Sequence, residues 1–331
     1  RVRDRLPHQI EAALEFLLLA GDASRNGILP RFAPLKLDED VRGFFRALGP
    51  ATLGSMGTQV ALFADTLIAT FLAAGALSAL YYADRLNQLP IGVIGIAVGT
   101  VLLPEMSRRL TAGDFDGAQT SQRKAFEFTL LLSVPFVAAF LTVPDEIMRA
   151  MFARGAFSKA DAAAAGATLA AYAIGLVPFV LIRSAVATFY ARQDTATPVK
   201  AALIGVAVNV ALKVLLVGSL AQIGLALATA AGAWVNLLLV LGFAIRRGFL
   251  VVKTSLKASL LKFLGVGILL AAALWGTALA LETLLAPMRA FRDETALLIL
   301  IVVGAVVYGA AILLVFGLGW LKSLMRSAER G

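Results

Sequence analysis

Tyr81-Tyr82-Ala83-Asp84-Arg85-Leu86-Asn87-Gln88-Leu89-Pro90 opens an apolar run that continues to Leu103, and it sets an acid and an arginine side by side within that run. An ionised side chain at mid-bilayer costs roughly 2.5 to 3.5 kcal/mol on insertion scales, so such a pair faces a water-filled cavity or a partner. The pair is therefore the first candidate site, and it presupposes a membrane. The remaining sequence supplies one. Of 331 residues, 60% are hydrophobic and 15% charged, against about 25% charged in a soluble domain. Eight runs are long enough to cross a hydrocarbon core of about 30 Å as helices. They are Gly49 to Leu72, Tyr81 to Leu103, Phe126 to Val143, Ala162 to Tyr190, Pro198 to Gly218, Ile223 to Ala244, Ala258 to Leu281 and Thr295 to Trp320. Barrel strands would instead alternate apolar and polar residues over about ten positions. The chain reads as an all-α integral membrane protein of about eight transmembrane helices.

The net charge of +9 raises nucleic acid as a partner, but the basic residues sit in loops at alternate ends of the spans, the distribution that orients a chain in a membrane. With the segment before the first span in the cytoplasm, that side holds 19 Lys and Arg, largely in Arg25 to Arg46, Arg108 to Lys124 and Arg246 to Lys262. The other side holds five: Arg149, Arg154, Lys159, Arg289 and Arg292. This bias predicts an even number of spans and a cytoplasmic C-terminus. No basic patch with interleaved aromatics appears, so no nucleic acid is expected. There is no cysteine, which removes disulfides, thiolate nucleophiles and cysteine-based metal sites. The one histidine, His8, lies in a polar terminus and reads as a solvated surface residue.

Residues 1–44 read as the frayed end of a preceding helix followed by a cytoplasmic linker. Ile10 to Ala20 is interrupted by Glu11 and Glu15, is too short to span and lacks the layout of a signal peptide. The short connections Ala73 to Leu80 and Ser219 to Gln222 make antiparallel hairpins of the spans they join. Ser158 is placed to cap the following helix, with Asp161 in its first turn favouring the helix dipole.

Taken alone, Arg85 beside Asp84 is either a structural ion pair or a charge facing a cavity. Ser78 is seven positions before Arg85, two helical turns away, and shares its face if the helix begins early enough. Gln88 lies one turn beyond. Arg183, late in its span, either snorkels to the cytoplasmic interface or faces a cavity. A second constellation comprises Asp65, Asn209, Lys213 and Thr229. Asn209 and Lys213 are four apart and share a helix face. Asp65 and Lys213 carry opposite charges at mid-membrane depth and are expected to find each other. The Asp, Asn and Thr oxygens would also suit an alkali cation. A built-in Asp65 to Lys213 salt bridge, with the ammonium in the cation's place, is the favoured of these two readings.

The run Tyr81 to Leu86, then Pro90-Ile91-Gly92-Val93 and Leu103-Pro104-Glu105-Met106-Ser107-Arg108, resembles the MurJ (MviN) family of lipid II flippases in the MOP exporter superfamily. Arg154-Gly155-Ala156-Phe157, Phe189 to Asp194 with Thr197-Pro198-Val199-Lys200, and Gly224 to Thr229 follow in the family's order. The resemblance implies a fourteen-helix protein of two six-helix lobes and two further helices. This chain would supply the second lobe (45–245) and the two C-terminal helices (246–331), which line a groove for the lipid tail, while the N-terminal lobe is missing. It implies a transporter of the bacterial inner membrane, not an enzyme, moving undecaprenyl-linked peptidoglycan precursor between leaflets by alternating access. The drive would be membrane potential or a coupled monovalent cation, with no other cofactor. Arg85 would bind the diphosphate of lipid II, with Asp84, Ser78, Gln88 and Arg183 around it. The rival readings are a flippase for another polyprenyl-linked glycan, an ion-coupled drug antiporter of the same superfamily, and a noncatalytic membrane scaffold.

Overall fold

Capping chemistry fixes where several helices begin, and the regular structure among the described residues is helical throughout. The computed structural model describes residues 75–251, 254–288 and 291–329, with isolated positions between 18 and 73. The chain divides into two compact units, Arg1–Arg46 and Ala47–Gly331. The second contains α1 (Ala76–Thr111), α2 (Phe115–Thr142), α3 (Pro144–Phe152), α4 (Lys159–Tyr190), α5 (Ala196–Arg246), α6 (Thr254–Leu284) and α7 (Arg292–Glu329). Most of the expected Gly49 to Leu72 span, including Asp65, and most of the terminal linker lie outside the described residues.

Asp114 accepts the Gly117 N–H at 2.8 Å ahead of α2, and Pro144 occupies the first turn of α3, where its missing N–H leaves nothing unsatisfied. Ser158 caps α4 as its sequence expects, in a reciprocal capping box with Asp161: Ser158 Oγ accepts the Asp161 N–H at 3.2 Å and the Asp161 carboxylate accepts the Ser158 N–H at 2.9 Å. Just before α5, Asp194 accepts the Thr197 N–H at 3.0 Å and its hydroxyl at 2.7 Å, and also pairs with Arg247.

Five helices, α2, α4, α5, α6 and the Arg292–Trp320 part of α7, are long and apolar enough to cross a membrane. At 51 residues α5 is too long for one crossing, and it breaks where the sequence places a hairpin: Ala221 has φ 48° and ψ −129°. The two arms fold back on each other. A Cβ on Gly232 would lie 2.8 Å from the Gly205 carbonyl and 2.7 Å from Asn209 Cβ, and one on Gly205 would lie 3.0 Å from Asn236 Cβ. Each arm thus offers a glycine to an asparagine of the other, the small-residue contact by which membrane helices approach closely.

The core forms around α4, which touches α1, α2, α3 and α5. Ala162, Ala165, Leu169, Ala173, Leu176 and Val180, spaced three and four apart, are wholly buried along it, as expected for the inward stripe of a helix. Gly175 meets the second arm of α5, where an added Cβ would come 2.8 Å from Ala230 Cα. The last two helices are tied on by polar bonds as well as packing. The buried Glu127 carboxylate of α2 accepts Ser259 Oγ of α6 at 2.8 Å and Trp320 Nε1 of α7 at 3.1 Å. The Tyr308 hydroxyl donates to the Leu131 carbonyl at 2.6 Å.

Two stability outcomes are expected. Gly232→Ala drives a methyl into the backbone of the opposite arm and should lower unfolding stability by ~1–3 kcal/mol, read as a fall in Tm in detergent. Burial acts to raise the Asp194 carboxyl, but Thr197 and Arg247 outweigh it and hold the group below its ordinary value. A depressed carboxylate stabilises fully above its unfolded pKa, about 3.9 for Asp, and loses that contribution as pH falls through the folded value. Asp194→Asn should therefore cost ~0.5 kcal/mol at neutral pH, the worth of a partly exposed ion pair, and lessen the loss of stability on acidification below about pH 4, measured by thermal unfolding across pH.

Candidate functional site

Successive residues of a helix point about 100° apart, so the Asp84 and Arg85 pair is divided between two faces of α1. Leu77, Leu80, Tyr81, Asp84, Asn87, Gln88 and Ile91, at spacings of three and four, form one stripe along a cavity of about 560 Å³. Arg85 lies off that stripe. Its guanidinium sits over the Tyr81 ring, 4.9 Å from the centroid, and the residue is exposed. Asp84 instead accepts a hydrogen bond from Gln88 Nε2. Helix α1 starts at Ala76, early enough for Ser78 to lie two turns from Arg85 on the same exposed face. Arg183 is exposed too, but its side chain runs along α1 at Gly95, where an added Cβ would be 2.5 Å from Nε and 2.6 Å from Cδ. Ten residues separate Gly95 from Arg85, about 15 Å along the helix axis, so the two arginines stand at different depths.

The wall opposite α1 comes from α4 and from the folded α5. Tyr172 and Phe179 contribute from α4, and Asn209, Thr229 and Asn236 from the two arms of α5. The Asp84 and Asn209–Thr229 constellations, separate in the sequence reading, therefore face one cavity. Thr229 Oγ1 donates to the Leu225 carbonyl at 3.0 Å, which leaves its oxygen free to accept. Lys213 is wholly buried one turn beyond Asn209 and engaged in an interaction of its own; it does not line the cavity. Its expected partner Asp65 is outside the described residues.

Among the cavity residues not singled out from the sequence are two asparagines, Asn87 and Asn236. Together with Asn209 they place three asparagines at the cavity, and each has a buried Oδ1 with no hydrogen-bond partner among the described residues. Buried polar groups ordinarily find a partner in protein, water or ligand. Their signal was periodic: Asn87 lies three residues after Asp84, and Asn236 seven after Thr229. Among the described residues no group of three His, Cys, Asp or Glu could hold a metal. One carboxylate among neutral amides and hydroxyls is equipped to bind by hydrogen bonds.

A family model described as lipid II flippase MurJ matches residues 10–293. A protein of Rhizobium meliloti (strain 1021), described as a probable lipid II flippase MurJ, is 42% identical over 240 residues, covering 72% of this chain and 45% of the relative. A Haemophilus influenzae (strain ATCC 51907 / DSM 11121 / KW20 / Rd) protein of the same description is 33% identical over 312 residues, covering 91% of this chain and 60% of the relative. The chain thus spans about half the length of the curated relatives it matches. Among solved structures, a lipid II flippase MurJ in an inward closed conformation superposes with a TM-score of 0.68 at 22% identity, over 85% of this chain and 56% of that one. An outward-facing multidrug resistance MATE family transporter of the MOP superfamily gives 0.54 at 17%, over 84% and 66%. At these identities the two likenesses establish a shared fold.

An amide retained for binding contributes little to stability. Asn87→Leu removes an unpaired buried carbonyl oxygen, so Tm in detergent should hold or rise, with stability changing by less than ~1 kcal/mol in the unfavourable direction. A large fall would assign Asn87 a structural role instead.

Proposed function

The chain belongs to the lipid II flippase MurJ family, and from that membership we propose that it forms the second lobe and two C-terminal helices of a protein that moves lipid II from the inner to the outer leaflet of the bacterial inner membrane. The observation that carries this reading is a polar cavity enclosed by α1, α4 and the folded α5, in a chain that matches the family model over residues 10–293. In this reading α1, α2, α4, the two arms of α5, α6 and α7 are seven crossings, and Gly49 to Leu72 is the eighth. The excess of Lys and Arg at one end puts the C-terminus in the cytoplasm.

A flippase lowers the barrier for a charged head group to cross hydrocarbon by replacing its water with fixed polar groups. Here the work divides between two faces of α1. Arg85, on the exposed face with Ser78, binds the diphosphate through forked hydrogen bonds that lysine cannot supply. Its face is free for a first lobe contributed by sequence beyond these residues, and alternating access is the rocking of the two lobes about the bound lipid. Arg183 offers a second cationic station nearer the cytoplasmic end. Asp84 and Gln88 hold each other on the cavity face, where amides and hydroxyls receive the uncharged parts of the head group. The Lys213 ammonium, paired with Asp65, fills the place of a coupling cation, so the chain responds to membrane potential and not to sodium at this position.

Depleting the protein from cells and assaying leaflet accessibility of lipid II tests the function. Outer-leaflet lipid II should fall, recover with the wild-type protein, recover partly with Arg85→Lys and not recover with Arg85→Ala; unchanged outer-leaflet lipid II on depletion would reject the proposal. For the ion site, Lys213→Asn should acquire stabilisation by sodium that the wild type lacks, about 1.4 kcal/mol at ten times the Kd. Absence of any sodium response in Lys213→Asn and Lys213→Ala would dismiss the substitution of ammonium for cation.

A further inference from the structure

A second cleft, of about 300 Å³, lies between α3, the start of α4, the end of α6 and the start of α7, and shares no lining residue with the large cavity. Its rim carries three cations, Arg149, Lys159 and Arg292, and three anions, Glu146, Glu282 and Asp293. The remaining lining residues are apolar, among them the core residues Leu281 from α6 and Leu300 from α7. The charges gather without closing on each other. Arg149 Nη2 is 3.4 Å from Glu146 and its Nε is 3.9 Å from Asp293, whereas charge-assisted bonds in contact draw in to about 2.7–2.9 Å. Arg149 Nε is buried with no hydrogen-bond partner. Arg292 uses one nitrogen on the Glu282 carbonyl at 2.9 Å, which leaves donors to spare, and Lys159 has no ion pair among the described residues.

The position of the cleft narrows what can enter it. Helices α6 and α7 bury only 22% and 17% of their most apolar windows inside the protein, so their outer faces meet acyl chains. The cleft lies where those two helices end, at the level where hydrocarbon gives way to head groups, and its arginines offer the forked donors that suit a phosphate. An anionic head group would meet three carboxylates as well as three cations. A head group carrying both signs meets complementary charge throughout.

We propose that this cleft binds a zwitterionic phospholipid of the phosphatidylethanolamine type. Its phosphate lies on Arg149, Lys159 and Arg292, its ammonium on Glu282 and Glu146, and its acyl chains run down the outer faces of α6 and α7. The site is separate from the flippase cavity and stands whether or not that cavity carries lipid II.

Native mass spectrometry of the delipidated protein at its natural length tests this, by titration with dioleoylphosphatidylethanolamine, dioleoylphosphatidylglycerol and the soluble head group glycerophosphoethanolamine. One saturable phosphatidylethanolamine adduct is expected, formed roughly tenfold more tightly than the phosphatidylglycerol adduct, with no adduct of the soluble head group. Arg149→Gln with Lys159→Gln should weaken phosphatidylethanolamine binding by roughly tenfold or more. Glu282→Gln, at an exposed position, should weaken phosphatidylethanolamine and, with one carboxylate fewer facing an anionic head group, strengthen phosphatidylglycerol, so that the preference between them is lost. Equal binding of the two lipids by the wild type, binding of the soluble head group at lipid affinity, or an unchanged preference in Glu282→Gln would each overturn the assignment.

Discussion

The close approach of the two arms of α5 governs what the cavity can be. Gly205 and Gly232 remove the side chains that would hold the arms apart, and Asn209 and Asn236 rest on the space so freed. That contact brings Asn209, Thr229 and Asn236, from opposite directions of chain, to one wall. Any larger residue at either glycine would separate the arms and spread those polar groups along a helix surface, where each would have to be satisfied alone in hydrocarbon.

The opposite wall depends on helical phase. A single step along α1 separates Asp84, which lines the cavity, from Arg85, which does not. The acid is held by Gln88 and the arginine by the Tyr81 ring, so the pair is built as two neighbouring surfaces and not as one ion pair facing one way. The chain thus presents a hydrogen-bonding cavity with one carboxylate, Asp84, beside an exposed arginine, Arg85.

Much of the fold could be read from the sequence, because membrane helices announce themselves by length and apolarity. The hairpin at Ser219 to Gln222 and the Ser158 cap follow from local chemistry and are present as read. The site was less legible. Asp84 and Asn209 lie more than a hundred residues apart, and nothing local says that α1 and α5 share a cavity. The rotation of α1 is set by tertiary packing of Ala79, Ala83 and Leu86 into the core, and that phase decides which of two adjacent charges looks inward. Asn87 and Asn236 escaped attention because a lone asparagine in a helix carries no motif, and its meaning appears only when its carbonyl is found buried and unpaired.

The proposal that the cavity between α1 and α5 receives the uncharged parts of the lipid II head group is directly measurable, because this chain has no cysteine. Single Asn87→Cys, Asn209→Cys and Asn236→Cys variants in a cysteine-free full-length background, reconstituted in vesicles, can be titrated with a water-soluble maleimide with and without lipid II. Labelling at all three positions, slowed several-fold by lipid II and not by undecaprenyl phosphate, is the predicted result. Labelling at an unchanged rate in the presence of saturating lipid II would contradict it.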